Sequence, residues 1–138
     1  MRYLCLAYED QRIFDDMPEH EWAALREETL AYVESLRASG RLIETQPLQG
    51  AATAATVRVR NGKVAVTDGP FAETKEQIGG FFLIEAADLD EAVRVAAEWP
   101  SARLGTIEVR PLEDGLPTDR RYRHRATPGR PRAADDTE

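Results

Sequence analysis

The stretch TVRVRNGKVAVT, residues 56–67, carries the clearest structural signal in the chain. It places Asn61-Gly62, a pair that favours a type I′ turn, between two runs in which valine alternates with other residues. A two-residue turn puts all four valines on one face of a β-hairpin, because the side chains of a strand alternate between its faces. These residues are Val57, Val59, Val64 and Val66. The turn and the hydrophobic pattern therefore predict the same hairpin.

Periodic apolar patterns on both sides of this hairpin predict four further strands and two helices. The strands are expected at residues 2–8, 41–46, 81–84 and 106–110, the helices at 18–39 and 89–99, and loops at 9–17 and 68–78. The pairs Asp16 with Glu19 and Asp88 with Glu91 have the spacing of capping boxes at the starts of the helices. The order β-α-β, hairpin, β-α-β predicts an α+β sandwich close to the ferredoxin-like plan, with both helices on one face of the sheet.

The composition fits one domain, expected at residues 1–112, and a C-terminal tail at residues 113–138. The tail has little apolar content and several prolines, so it is predicted to be disordered or ordered by a partner. Six arginines and four acidic residues follow Pro117, which gives that segment a net charge of +2. The whole 138-residue chain has a net charge of −7, so the rest of the chain has a net charge of −9. A body this acidic repels phosphate backbones, which makes nucleic acid an unlikely partner for it, while the tail remains a candidate for binding a protein.

A single cysteine, Cys5, lies within an apolar strand pattern and is expected to be a buried thiol. One cysteine cannot form an intramolecular disulfide, and no run of about 20 apolar residues is present. These features predict a cytoplasmic protein that is not embedded in a membrane. The two histidines, His20 and His124, are too far apart in sequence to suggest a metal site, and we expect no cofactor.

The loop that follows the hairpin, DGPFAETKE at residues 68–76, holds the densest set of chemically active residues. Asp68 could act as a general acid or base beside a pocket, or it could be a turn residue that caps backbone amides. Lys75 could pair with an anionic ligand, or it could belong with Glu73 and Glu76 to a solvated charged surface. Asp68, Lys75 and His20 are the candidate catalytic residues.

Further residues are candidates for binding a ligand because they belong to this loop or to the strands expected to border it. They are Tyr8, Arg58, Gly69, Phe71, Glu73 and Glu76. Arg58 lies on the hairpin face opposite the valines, where it could hold a carboxylate with two hydrogen bonds or be an ordinary exposed side chain. Tyr8 ends the first strand and could reach the same cleft or only cover the edge of the core.

The segment TDGPFAETKEQIGGFFLI at residues 67–84, with DLDEA at 88–92 and IEVRP at 107–111, strongly resembles the DGPF branch of the YCII-related proteins. The resemblance covers residues 1 to about 112. It implies a ferredoxin-like domain that dimerises through its sheet, as in the dimeric α/β-barrel superfamily. That superfamily includes small-molecule enzymes such as lactone isomerases, monooxygenases and dehalogenating lyases. The DGPF branch itself has no assigned reaction, and its members are often linked by genome context to extracytoplasmic-function sigma factors.

In YCII proteins proper, a histidine near the start of the first helix and an aspartate before a proline after the second helix resemble an acid–base pair. Here His20 falls at the first place, but Trp99 precedes Pro100 at the second. Two alternative functions are therefore predicted. The first is a homodimer that binds a small polar or anionic molecule near residues 68–76, either as a binding protein or as an acid–base enzyme. The second is a non-catalytic regulatory module that contacts a transcription-related protein.

Overall fold

The computed structural model describes residues 1–113, which form six strands and three helices. The strands are β1 (Arg2–Glu9), β2 (Leu42–Pro47), β3 (Ala55–Arg60), β4 (Lys63–Asp68), β5 (Gln77–Glu85) and β6 (Thr106–Pro111). The helices are α1 (Gln11–Asp15), α2 (Glu19–Ala38) and α3 (Leu89–Ala97), with short 3₁₀ turns at Ala51–Thr53 and Pro100–Arg103. The predicted tail, apart from its first residue, lies outside the described residues.

Four strands form an antiparallel sheet in the order β2-β5-β1-β6, which is the ferredoxin-like order. This confirms the predicted α+β class. The hairpin of β3 and β4 forms a separate two-stranded sheet, inserted between β2 and β5. Its register is the predicted one, with Val57 opposite Val66 and Val59 opposite Val64. Asn61 and Gly62 have φ values of 53° and 75°, as a type I′ turn requires.

One face of the main sheet packs against α2 and α3 to form the core. Tyr3, Cys5, Phe82 and Ile84 come from the strands and are at most 2% exposed. Phe82 stacks on Trp99 with ring centroids 3.9 Å apart and planes inclined by 6°. The predicted burial of Cys5 is confirmed, and burial raises the pKa of its thiol to about 12.

The other face of the main sheet has an apolar centre and a polar border, and we call it the open face. Its centre is formed by Leu4, Leu6, Phe81 and Leu83, which are paired across β1 and β5 and are half-buried in the single chain. Glu44, Gln46, Glu108 and Arg110 lie beside them on the outer strands. Side-chain alternation therefore gives β1 and β5 a second apolar face that the core does not use.

The chain between β1 and α2 differs from the predicted loop. Asp10 starts α1 as its N-cap and accepts a hydrogen bond from the Arg12 amide at 3.1 Å. The capping box predicted from Asp16 and Glu19 is not formed, because Pro18 occupies the N-cap of α2 and makes no side-chain bond. At α3 the predicted cap is present, with the Glu91 amide donating to Asp88 Oδ1 at 2.8 Å.

Strand β5 also begins earlier than predicted, at Gln77 instead of residue 81. Its register against β1 shifts between Ala7, which pairs with Gly80, and Tyr8, which pairs with Ile78. Gly79 is therefore the extra residue of a β-bulge. Bulges of this kind redirect side chains and are common beside active sites.

Candidate functional site

Two adjoining cavities lie where the end of β1, the 3₁₀ turn Ala51–Thr53 and the loop before β5 meet. The larger has a volume of about 510 Å³ and the smaller about 400 Å³. Both are lined by Gln11, Ala51, Ala52 and Gln77, so the two cavities lie side by side. Small-molecule sites typically have volumes of about 300–1,000 Å³, so either cavity is large enough to hold a small ligand.

The loop at residues 68–76 forms one wall of the larger cavity. Its turn depends on Gly69, whose φ of 98° is a conformation that favours glycine. The Gly69 amide donates to the carbonyl of Ala54 at 2.7 Å, and the Thr56 hydroxyl donates to the Gly69 carbonyl at 2.9 Å. These bonds attach the start of the loop to the base of the hairpin.

Gln77, which the sequence analysis did not select, holds the other end of this loop. Its side-chain amide donates to the Ala72 carbonyl at 2.7 Å and to the Thr74 carbonyl and hydroxyl at 3.1 Å each. Gln77 also pairs with Glu9 across β1 and β5. The loop is thus fastened directly to the end of the main sheet.

Replacing Gln77 with alanine should loosen the loop without unfolding the domain. Each hydrogen bond lost contributes about 0.5–1.5 kcal/mol. We therefore expect backbone amides of residues 72–76 to exchange with solvent about tenfold faster, measured by hydrogen–deuterium exchange. Gln46→Ala is the matched control, because among residues 1–113 the Gln46 side chain bonds to the exposed Glu44 side chain and not to this loop. Equal exchange in the two variants would contradict this role of Gln77.

Asp10 and Arg12, at the start of α1, also line the larger cavity. Asp10 is 5% exposed, and Arg12 binds it through two side-chain bonds, from Nε at 3.1 Å and Nη2 at 3.0 Å. These bonds lower the pKa of the Asp10 carboxyl, and the charge of Lys75 acts in the same direction. The buried carboxylate therefore stays ionised and fixes a guanidinium group at the mouth of the cavity.

Glu9 lines the smaller cavity and is its only ionisable lining residue. Its carboxylate makes no hydrogen bond or ion pair with any residue in the part of the chain that the structure describes. Burial raises the pKa of this carboxyl above the usual range. A Cβ atom added to Gly79 would lie 2.2 Å from the Glu9 carboxylate, so the glycine of the bulge provides the space that this group occupies.

The structure brings four of the nine predicted site residues to the larger cavity. These are Asp68, Gly69, Glu73 and Lys75. Phe71 is 76% exposed and lies beneath Arg58, whose guanidinium carbon is 5.2 Å from the ring centroid. Glu76 is half-buried outside both cavities, and His20 is exposed in the first turn of α2.

Tyr8 lies on the open face, outside both cavities. Its hydroxyl donates to Glu108 Oε1 at 3.3 Å, and Arg110 also binds Glu108. Burial, with the charge of Glu108, raises the pKa of the Tyr8 hydroxyl. Trp99 occupies the position before Pro100, where YCII proteins proper have the aspartate of the apparent acid–base pair. It is 8% exposed and stacks in the core. That position therefore serves packing in this chain.

Among residues 1–113, no three histidine, cysteine or acidic side chains are grouped in a way that could hold a metal ion. Within the same range, no helix has the length and apolar character needed to span a bilayer. The valine face of the hairpin, formed by Val57, Val59, Val64 and Val66, is 55–68% exposed. It is the second apolar surface, besides the open face, that the core leaves uncovered.

Comparison with known proteins finds one family, one similar protein sequence and one similar solved structure. The YCII-related domain matches residues 1–114. The uncharacterized protein R00369 of Rhizobium meliloti (strain 1021) is 38% identical over 114 residues, which cover 81% of this chain and 92% of that protein. Among solved structures, 5-chloro-2-hydroxyhydroquinone dehydrochlorinase (TftG) of Burkholderia phenoliruptrix AC1100, in complex with 2,5-dihydroxybenzoquinone, is 22% identical. It matches with a TM-score of 0.46, over 83% of this chain and 96% of its own. The family match includes every described element of the fold.

Proposed function

The chain belongs to the YCII-related domain family, and we propose that it is a homodimer that binds a small polar or anionic molecule in the cavity beside residues 68–76. It performs proton-transfer chemistry there without a cofactor. The observation that carries this proposal is the larger cavity, which is lined by Asp68 and Lys75 of the loop together with Asp10 and Arg12. The finer assignment to the DGPF branch rests on the motif at residues 68–71 and stays a prediction.

The charges around this cavity suit a ligand that carries a carboxylate. Arg12 is held in place by Asp10, and its side chain is 73% exposed, so its remaining N–H donors can bind an incoming anion. Lys75 supplies a second positive charge to the lining of the same cavity. Asp68, exposed at the end of β4, is the group that can accept a proton from the bound molecule.

Replacing Lys75 with glutamine should weaken the binding of a small carboxylate about tenfold, because a hydrogen bond to a charged group contributes about 1.5–3 kcal/mol. Butyrate is the probe, and its dissociation constant is measured from the shifts of the backbone amide signals of residues 73–79. Lys63→Gln is the matched control, since Lys63 is exposed on the hairpin and lines neither cavity. If butyrate shifts none of these signals in the unaltered chain, the proposed anion site is wrong.

The second candidate function is a regulatory module that binds a protein partner, and the exposed valine face of the hairpin favours it. A two-stranded hairpin with one apolar face is at most marginally stable alone, so a partner that covers this face would stabilise it. A pull-down should compare the full chain, a chain lacking residues 117–138, and the Val59→Lys, Val64→Lys double variant. A protein captured by the first and lost from the last supports this function. Capture that is equal with all three chains contradicts it.

A further inference from the structure

We propose that Glu9 is the second proton-carrying group of this site, acting as a general acid on a small 2-oxo acid whose carboxylate is held by Lys75 and Arg12. This inference rests on the proposed function and extends it to a residue and a class of substrate. It follows from the position of Glu9 at a bulge, from the room that Gly79 leaves for it, and from its place in the smaller cavity.

The bulge at Gly79 determines where the Glu9 side chain lies. In a regular strand any residue would fit opposite the end of β1, but here a single added carbon would collide with the Glu9 carboxyl at 2.2 Å. The Gly79 carbonyl also accepts a hydrogen bond from the Leu48 amide at 2.8 Å, which holds the bulge in place. A glycine held in this way lets the carboxyl group lie close to the backbone at the edge of the cavity.

The surroundings of Glu9 suit a carboxylic acid that donates a proton. The smaller cavity is otherwise lined by amide, aliphatic and glycine residues, among them Gln11, Gln49 and Gln77. The adjoining cavity is lined by the charged residues Asp10, Arg12, Asp68, Glu73 and Lys75. With no cation bound to it, and with burial raising its pKa, Glu9 keeps its proton to a higher pH than an exposed glutamate does.

Because the two cavities adjoin, each carboxyl group has a separate role on one ligand that lies across both. A ligand that spans them places one end near Asp68 and the other near Glu9. Asp68 removes a proton from the carbon next to the ketone, and the C–H electron pair forms the carbon–carbon double bond of an enol. The ketone oxygen takes its proton from Glu9. The substrate loses one proton and gains one, so the step is a keto–enol tautomerisation that needs no oxidant. Proton exchange with solvent then returns the two carboxyl groups to their starting states.

The class of substrate follows from these positions. Lys75 and Arg12 need a carboxylate, Glu9 needs a carbonyl oxygen, and Asp68 needs an acidic C–H bond beside that carbonyl group. A 2-oxo acid with hydrogen on its third carbon has all three features within a few bonds. 2-Oxobutyrate is the simplest such probe, and butyrate is its matched control, because it keeps the carboxylate and lacks the ketone.

The test follows exchange of the C3 hydrogens of 2-oxobutyrate with D₂O by NMR, using the full chain. We expect the unaltered protein to accelerate exchange over buffer. The Glu9→Gln variant should lose about 100-fold of that acceleration, because a positioned acid or base contributes about 10²–10⁴-fold. Its affinity for 2-oxobutyrate should stay within about threefold. Glu34→Gln, which removes an exposed carboxyl group on α2, should leave the rate unchanged.

Two further measurements do not depend on the rate in Glu9→Gln. In the protein with ¹³C-labelled glutamate, the carboxyl signal assigned to Glu9 should titrate above the ordinary value of about 4.3. In Gly79→Ala the new methyl group should displace this carboxyl group, returning its titration toward that value and slowing exchange. Since Glu9 acts as the acid, exchange in the unaltered protein should fall as pH rises through the Glu9 pKa.

The possible results distinguish a failure of the role of Glu9 from a failure of the proposed function on which that role rests. If 2-oxobutyrate and butyrate both bind, but Glu9→Gln exchanges at the rate of the unaltered protein, the role of Glu9 is overturned and the anion site stands. Binding of both compounds without accelerated exchange in the unaltered protein overturns the 2-oxo acid assignment. If neither compound shifts the cavity amides, the proposed function and this inference fail together.

Discussion

Replacing Phe82 with alanine is expected to lower the free energy of unfolding by about 3–5 kcal/mol. The Phe82 ring is fully buried in the middle of β5 and stacks on Trp99 at 3.9 Å. Tyr32 contacts the same Trp99 ring edge-on at 5.9 Å, and its hydroxyl donates to the Val95 carbonyl at 2.7 Å. Removing the Phe82 ring leaves a cavity at the point where the sheet, α2 and α3 meet, so the loss combines apolar transfer with cavity formation.

Phe71→Ala provides the matched control, because it removes the same side chain from an exposed position. Phe71 is 76% exposed and its described ring contact is with Arg58, so we expect a loss of at most about 1 kcal/mol. Urea unfolding followed by far-UV circular dichroism measures both variants. Similar midpoints for Phe82→Ala and Phe71→Ala would contradict the account of the core.

The two longer helices, α2 and α3, and most strands could be predicted because local patterns determine them, whereas the short helix α1 was not predicted. The hairpin at residues 56–67 is specified by its turn and its alternation alone, and the structure confirms its register. What the sequence did not reveal is that β3 and β4 stay apart from the main sheet. Strand pairing depends on contacts distant in sequence, and β2 and β5 pair with each other across the whole insertion. No local pattern encodes that choice.

The site was predictable in part, for a similar reason. The loop at residues 68–76 was selected by its residue types, and the structure places Asp68 and Lys75 at the larger cavity. The sequence pattern places Glu9 and Asp10 in a loop, and nothing in it indicates that both become partly or fully buried. Gly79-Gly80 was the available signal, since glycine inside a strand often marks a bulge or a close approach of other groups.

The open face supplies the physical reason for proposing a homodimer. Leu4, Leu6, Phe81 and Leu83 form an apolar centre on β1 and β5, with charged and polar residues on the outer strands. A sheet covered by helices on one side needs a second layer on the other, and a symmetric pair of chains covers both open faces at once. The hydrogen-bonded Tyr8 and Glu108 would then lie at the border of the contact between the two chains.

Replacing Leu6 with arginine is expected to convert this dimer into a monomer, raising the dissociation constant at least about 100-fold. Leu6 lies between Phe81 and Glu108 in the sheet, so the new guanidinium can pair with Glu108 in the single chain and leave its fold intact. In the dimer the same charge would enter an apolar interface, where burying it costs several kcal/mol. Sedimentation velocity at micromolar concentration measures the change, with circular dichroism to verify folding.

Val93→Arg is the matched control, because Val93 is a residue of α3 that is 46% exposed, and this variant should remain a dimer. A monomer in the unaltered chain, or an unchanged dimer in Leu6→Arg, would show that the open face is not the contact surface.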